Sequence, residues 1–331
     1  MAEEFNHGYA LLIGVGEAAY KPLSLPVTVR DTQAIYATLT DPELCAYPND
    51  KDHIRVLNNE KATHDAIMDG LSWLKEKAEV DRESTVFIYY SGHGWFNKTD
   101  GGFYLLQHDV KPSKLAATAL SAESFTTALR QIHAERLLVV IDSCHAAGMA
   151  TSKDAEASQL DAELAEEFDE FQRLSPSKDV IDAFKQGKGR VVFTSSGGAQ
   201  KSWVRTDRSY SVYTYHFLEA LQGANNKPRD TDVKVSNLMN YLSRAVPESA
   251  RTFLTKEQTP QFDMTGGDFV IAKLHGGKGL PENGWDEMKP KATQKIHQIA
   301  QTITQHGKYI INIQKAEDLH IGDVIHNELN E

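Results

Sequence analysis

Two runs constrain the fold of this 331-residue chain more than anything else in it: Thr85-Val86-Phe87-Ile88-Tyr89-Tyr90 and Leu137-Leu138-Val139-Val140-Ile141. A half-buried strand alternates apolar with polar residues, so an unbroken apolar run reads as a strand covered on both faces, as in a parallel sheet. Shorter strand signals stand at Tyr9 to Val15, His53 to Leu57, Arg190 to Ser195 and Phe269 to Leu274, and Gly102 to Leu106 reads as a short hairpin element. Helical spacing lies between them. It occurs around Val29 to Leu39, from a Thr63 N-cap through Ile67, Leu71 and Leu74, and from Ser121 through Phe125, Leu129 and Ile132. Strands alternating with helices predict an α/β fold with a mostly parallel sheet.

Hydrophobic residues make up 40% of the chain and charged residues 24%, enough apolar content for one large core. The formal net charge of -11, with no long basic run, argues against a nucleic-acid backbone or an anionic membrane as the main partner and favours a basic substrate. The polar, acidic stretch Met1 to Gly8 lacks the features of a secretory signal, and no apolar run approaches the roughly 20 residues of a membrane helix. Two cysteines, Cys45 and Cys144, cannot build a disulfide framework or a zinc site; they predict a reducing, cytoplasmic setting. Cys45 reads as packing.

The pattern divides into a first half at 1–150, an insert at 151–188, a second half at 189–275 and an appendage at 276–331. Within the insert, Asp154, Glu156, Asp161, Glu163, Glu166, Glu167, Asp169 and Glu170 interleave with Leu160, Leu164, Phe168 and Phe171, which predicts an acidic amphipathic helix. His275-Gly276-Gly277-Lys278-Gly279 reads as a flexible boundary. A helix near Lys291 to His306 follows, then the alternating pairs Ile311/Ile313 and Leu319/Ile321 of a hairpin or arch.

The chemistry sits just past the two apolar strands, in Tyr90-Ser91-Gly92-His93-Gly94 and Asp142-Ser143-Cys144-His145-Ala146-Ala147-Gly148. That edge of an open parallel sheet is where ligands bind. A thiol needs an imidazole to deprotonate it and to protonate the leaving amine, and neighbouring strands bring the two together from distant positions. His93 precedes Cys144 by about 50 residues, the spacing expected of a caspase-type pair.

With these motifs in this order, the chain resembles the caspase-like peptidases, and within them the metacaspases and bacterial orthocaspases, over roughly Tyr9 to Leu274. The resemblance implies a three-layer sandwich whose mostly parallel sheet is flanked by helices, with 1–150 as the large-subunit-like half and 189–275 as the small-subunit-like half. It implies a cysteine endopeptidase with His93 as general base and acid, Cys144 as nucleophile, and the backbone N–H groups of Gly94 and Cys144 as oxyanion hole. By the same resemblance, Asp142 and Asp31 line the primary pocket and would hold the basic side chain of a protein substrate cleaved after Arg or Lys. Arg30, next to Asp31, is the alternative, since caspases proper use arginines to hold a substrate aspartate. Ser196, Gln200 and Trp203 are candidates for the pocket wall, although Lys201 and Trp203 depart from the usual family pattern.

Relatives are cut in the region of the insert, by themselves or by an upstream activating protease. Lys153, Arg173, Lys178, Lys185, Lys188 and Arg190 are the candidate processing sites of a zymogen. No cofactor is required by this chemistry. Some relatives need calcium, but the calcium-loop signature D-x-[DN]-x-[DN]-G is absent from the sequence. The tail from Tyr309 to Asp323 looks like short strand-forming tails attached to effectors in bacterial defence systems, implying a tail-mediated partner. A catalytically silent adaptor acting through that tail is the competing reading. A separase-like or clostripain-like enzyme of the same clan is a third.

Overall fold

The computed structural model describes residues 3–143, 145–146, 171–198 and 200–305. In chain order the first half runs β1 (Gly8–Gly14), α1 (Val27–Thr40), β2 (Ile54–Asn58), α2 (His64–Val80), β3 (Thr85–Gly92), β4 (Gly94–Asn97), β5 (Phe103–Leu105), α3 (Leu115–Thr118), β6 (Leu120–Ser121), α4 (Ala122–Gln131), β7 (Arg136–Ser143) and β8 (His145–Ala146). The second runs β9 (Phe171–Arg173), α5 (Lys178–Phe184), β10 (Arg190–Thr194), β11 (Ser202–Trp203), α6 (Val212–Leu221), β12 (Asp232–Lys234), α7 (Val235–Leu254), β13 (Gln261–Thr265), β14 (Val270–Lys273) and α8 (Trp285–Gln305).

The central sheet has the order β13-β10-β7-β3-β1-β2, and every neighbouring pair is parallel except β10 with β13. Side chains alternate across it. On one face Leu12, Phe87, Tyr89, Leu138, Val140 and Phe193 pack with Ile35 of α1, Phe217 of α6, Leu242 of α7 and Ile296 of α8; Phe87 stacks on Phe217 at 5.8 Å between ring centroids. On the other, Leu11, Val86, Ile88, Val139 and Val192 pack with Leu71 of α2, Phe125 of α4 and Phe184 of α5. The result is helices over both faces of a mostly parallel sheet. β1 has β2 on one side and β3 on the other, so the chain reverses its direction of travel across the sheet there, and the carboxyl ends of β1 and β3 flank a switch-point crevice.

Local chemistry starts the helices where their sequences predict. Thr63 accepts a hydrogen bond from Ala66 N at 3.2 Å, Ser121 from Ser124 N at 3.1 Å and Ser211 from Thr214 N at 2.8 Å, each satisfying an orphan N–H of a first turn.

The structure adds detail to these expectations and changes one of them. The strand at Phe269 to Leu274 exists as β14, but it pairs with β12 outside the central sheet, whose antiparallel edge is β13 instead. Phe171 belongs to β9, paired with β4, and not to an acidic helix; residues 151–170, which hold the rest of that expected helix, lie outside the described residues. The glycine-rich stretch after β14 is a hydrogen-bonded turn, with Gly277 N and Gly279 N both donating to Leu274 O. The helix beyond it packs on the core: Ala292 and Ile296 are buried, Tyr210 OH donates to Ile296 O at 3.2 Å and Lys295 pairs with Asp41 at 2.8 Å. The pairs Ile311/Ile313 and Leu319/Ile321 lie outside the described residues. Among those described, no helix is long and apolar enough to cross a membrane.

Candidate active site

The two apolar strands end side by side. Their Cα register matches Ser91 with Asp142 and Gly92 with Ser143. His93 follows Gly92 directly, and in the sequence Cys144 follows Ser143; Cys144 itself lies outside the described residues. A Cβ added at Gly94 would sit 2.8 Å from Ser143 Oγ and 3.0 Å from Ser143 Cβ, so only glycine lets β4 begin against the end of β7. His93 is 4% exposed, and its carbonyl oxygen lies 3.0 Å from Leu106 N and 2.9 Å from the Tyr90 hydroxyl. Gly94 O accepts from Leu174 N at 3.3 Å, fixing the turn from its other side.

Asp31 and Asp142 come together at this edge, on the sheet face that α1 and α6 cover. Both are fully buried. Asp31 accepts from Ser91 Oγ at 3.1 Å and from the backbone N–H of Ser211 at 3.0 Å. Asp142 accepts from Ser202 Oγ at 2.8 Å, Ser211 Oγ at 2.5 Å and Thr214 Oγ1 at 3.2 Å. Hydroxyl and amide donors are what a buried carboxylate needs to stay in a low-dielectric setting. The field of the pair reaches three tyrosines. Burial, and then the negative charge of Asp31 and Asp142, pushes Tyr89 well above its usual range; Tyr213 is raised by burial and Asp142, and Tyr210 by burial and Asp31. Arg30 Nη1 donates to Arg208 O at 2.6 Å.

The predicted wall residues run from the end of β10 through β11, and Ser202 of β11 reaches Asp142. Ser196 is fully buried, its hydroxyl 2.5 Å from that of Ser175. Gln200 Oε1 accepts from Thr259 N at 2.7 Å, and Trp203 Nε1 donates to Glu257 O at 3.2 Å. The sequence reading passed over the residue that anchors this loop. Gln258, fully buried, accepts from Trp203 N at 3.0 Å and donates to Ser195 O at 3.0 Å and Ser202 Oγ at 3.2 Å. Nothing in an isolated glutamine marks it beforehand. Ser211 and Thr214 carried a signal, since a serine three residues before a threonine at a helix start is a cap, but the cap says nothing of a carboxylate nearby.

The processing candidates separate by geometry. Arg190 is corrected: it is 4% exposed, and its backbone pairs with Leu137 and Thr265 in the sheet, so no protease can bind it in an extended cleft. Arg173 is likewise paired, with Trp95 in β4, and Lys185 is held by Asp182 at 2.7 Å and Asp263 at 2.8 Å. Lys178 opens α5. Lys188 is exposed in the turn before β10, and Lys153 lies outside the described residues. Cys45 is fully buried with its thiol pKa pushed up by burial, as inert packing requires. Among the described residues, no group of three or more His, Cys, Asp or Glu side chains is placed to hold a metal ion.

Comparison with known proteins matches residues 7–268 to the caspase domain and residues 291–331 to effector-associated domain 10. No curated protein matches the chain. Among solved structures, caspase-1 from Spodoptera frugiperda is similar at 17% identity and a TM-score of 0.45, covering 84% of this chain and 93% of its own.

Proposed function

The chain belongs to the caspase-domain family and is a cysteine-type peptidase; from that premise we propose that it is an endopeptidase cleaving after Arg or Lys with His93 and Cys144 as its catalytic pair. The observation that carries the proposal is the register of β3 with β7, in which Gly92 and Ser143, the residues just before His93 and Cys144, are direct partners. In this reading the His93 imidazole takes the Cys144 thiol proton and the thiolate attacks the scissile carbonyl. The N–H groups of Gly94 and Cys144 stabilise the oxyanion. The tetrahedral adduct collapses to a thioester as His93 protonates the departing amine, and water, deprotonated by His93, then releases the acid and regenerates the thiol. This route needs no cofactor.

The basic preference rests on Asp31 and Asp142. Two carboxylates held at the sheet edge by Ser91, Ser202, Ser211 and Thr214 offer a guanidinium or ammonium paired charge and directed acceptors. Activation, in this proposal, is a cut within 151–188, at Lys153, Lys178 or Lys188. The strands that flank the insert, β7 and β10, are hydrogen-bonded neighbours, so a nick leaves the sheet whole. The match of 291–331 to an effector-associated domain supports a tail that brings a partner to the peptidase.

An arginyl chloromethyl ketone tests the assignment. Intact-mass and peptide mapping should find one adduct, on Cys144, formed far more slowly in His93→Ala. Labelling at Cys45, or faster labelling by an aspartyl reagent, would refute it.

A further inference from the structure

At the opposite, amino-terminal edge of the sheet, we propose a second ligand site: a cleft of about 520 Å³ that takes a small phosphate-type dianion. Its lining joins the end of α4 to the turn before β10 and consists of Arg130, His133, Ala134, Gln186, Gly187, Lys188 and Arg190. Three permanent cations and a histidine converge there, in a chain of net charge -11, and no lining residue is acidic.

Arg190 is the element that surface chemistry does not explain. It is 4% exposed, one guanidinium nitrogen donates to Ile132 O at 2.5 Å, and its Nε and Nη1 have no hydrogen-bond partner among the described residues. Burial lowers its pKa, with no neighbouring carboxylate to offset the cost. A buried guanidinium with two idle donors is expensive unless an acceptor arrives. Acids on neighbouring segments pair with other cations: Glu135 with Arg136 at 3.3 Å, and Asp182 and Asp263 with Lys185. Gly187 completes the cradle, because a Cβ there would stand 2.8 Å from Arg190 Nε and its φ of +128° belongs to glycine.

A phosphate would meet Arg130, which also donates to Gln186 Oε1, and Lys188 first, both being exposed, and would reach the enclosed Nε and Nη1 of Arg190 only as the glycine turn at Gly187 gives way. No Phe, Tyr or Trp lines the cleft to stack on a base, and its cations favour an anionic ligand.

Inorganic phosphate is the probe. Thermal melts of the full chain should show a saturable rise in Tm with sodium phosphate that sodium chloride at equal ionic strength does not give. Arg130→Ala/Lys188→Ala, whose surface positions leave the fold intact, should weaken the apparent phosphate affinity at least tenfold with the phosphate-free Tm unchanged. Arg190→Met should abolish the rise; if that variant does not fold, the surface double variant decides. Equal effects of phosphate and chloride, or wild-type affinity in the double variant, would overturn the site. A larger stabilisation by phosphatidate vesicles than by free phosphate would overturn its assignment to a small soluble anion.

Discussion

The hydroxyl of Ser211 lies 2.5 Å from Asp142 Oδ2, while the backbone N–H of the same serine donates to Asp31 at 3.0 Å. One residue, at the N-cap of α6, therefore sets the distance between two carboxylates that arrive from α1 and from β7. Ser211→Ala should raise KM for an arginyl peptide about tenfold, with a smaller change in kcat, and cost about 1 kcal/mol of stability through the lost cap. Ser211→Thr keeps the hydroxyl and should restore most of both. Steady-state kinetics beside thermal melts separate the two effects.

The carboxylates themselves are tested by near-isosteric amides. Asp142→Asn converts an acceptor of hydroxyl bonds from Tyr89, Ser202, Ser211 and Thr214 into a group with two N–H donors, and Asp31→Asn does the same beside Ser91 and Ser211. Each should cut kcat/KM for Arg and Lys peptides by about 100-fold, the scale of a lost charge-assisted pair. Labelling of Cys144 by a small neutral alkylating agent should stay intact, which distinguishes a damaged pocket from a damaged nucleophile.

Gln258 makes its contacts with the loop and none with Asp31 or Asp142, so it should act as a positioning residue. Gln258→Ala leaves Trp203 N and Ser195 O buried without their partner and should cost about 2 kcal/mol in urea unfolding. Its kinetic effect should fall on KM for basic substrates, through Ser202, rather than on the rate of the acylated enzyme.

Far from the site, Tyr9 sits at 3.1 Å from Asp81, and burial followed by that carboxylate raises its pKa to about 12 from an ordinary 10. The folded chain keeps this phenol neutral where the unfolded chain ionises it. Stability from this group is therefore full below pH 10 and is lost as pH rises towards about 12. Thermal melts across that window should fall less steeply for Tyr9→Phe than for the wild type.

Much of this architecture was legible because the strands that carry it are buried on both faces. β1, β3, β7 and β10 announce themselves as apolar runs, and the polar motifs at the ends of β3 and β7 stand out by contrast. The edge strand β13, Gln261 to Thr265, did not, because only Phe262 and Met264 mark it between the polar Gln261, Asp263 and Thr265. The helix Val235–Leu254 carries a stripe of Leu238, Leu242, Val246 and Ala250 that the reading passed over, with Pro247 inside it. Phe171 fitted an acidic amphipathic stripe equally well, yet pairing with β4 made its segment a strand. At the site, motif spacing brought out His93, and the family resemblance pointed to Asp31 and Asp142. Gln258 was hidden, and Ser202, in the loop expected to shape the pocket wall, and Ser211 and Thr214, at a helix start, gave no sign that they would donate to a carboxylate, since hydroxyls and amides acquire meaning only from what the fold sets beside them.

The most direct test of the account is turnover of a fluorogenic peptide panel bearing Arg, Lys or Asp before the scissile bond, by wild type and Cys144→Ala, with calcium and with chelator. The account predicts that Arg and Lys peptides are cleaved at least 100-fold faster than Asp, as expected when a buried acidic pair must accept the side chain, and that Cys144→Ala falls to background. Preference for Asp would contradict the pocket, and undiminished turnover by Cys144→Ala would contradict the nucleophile.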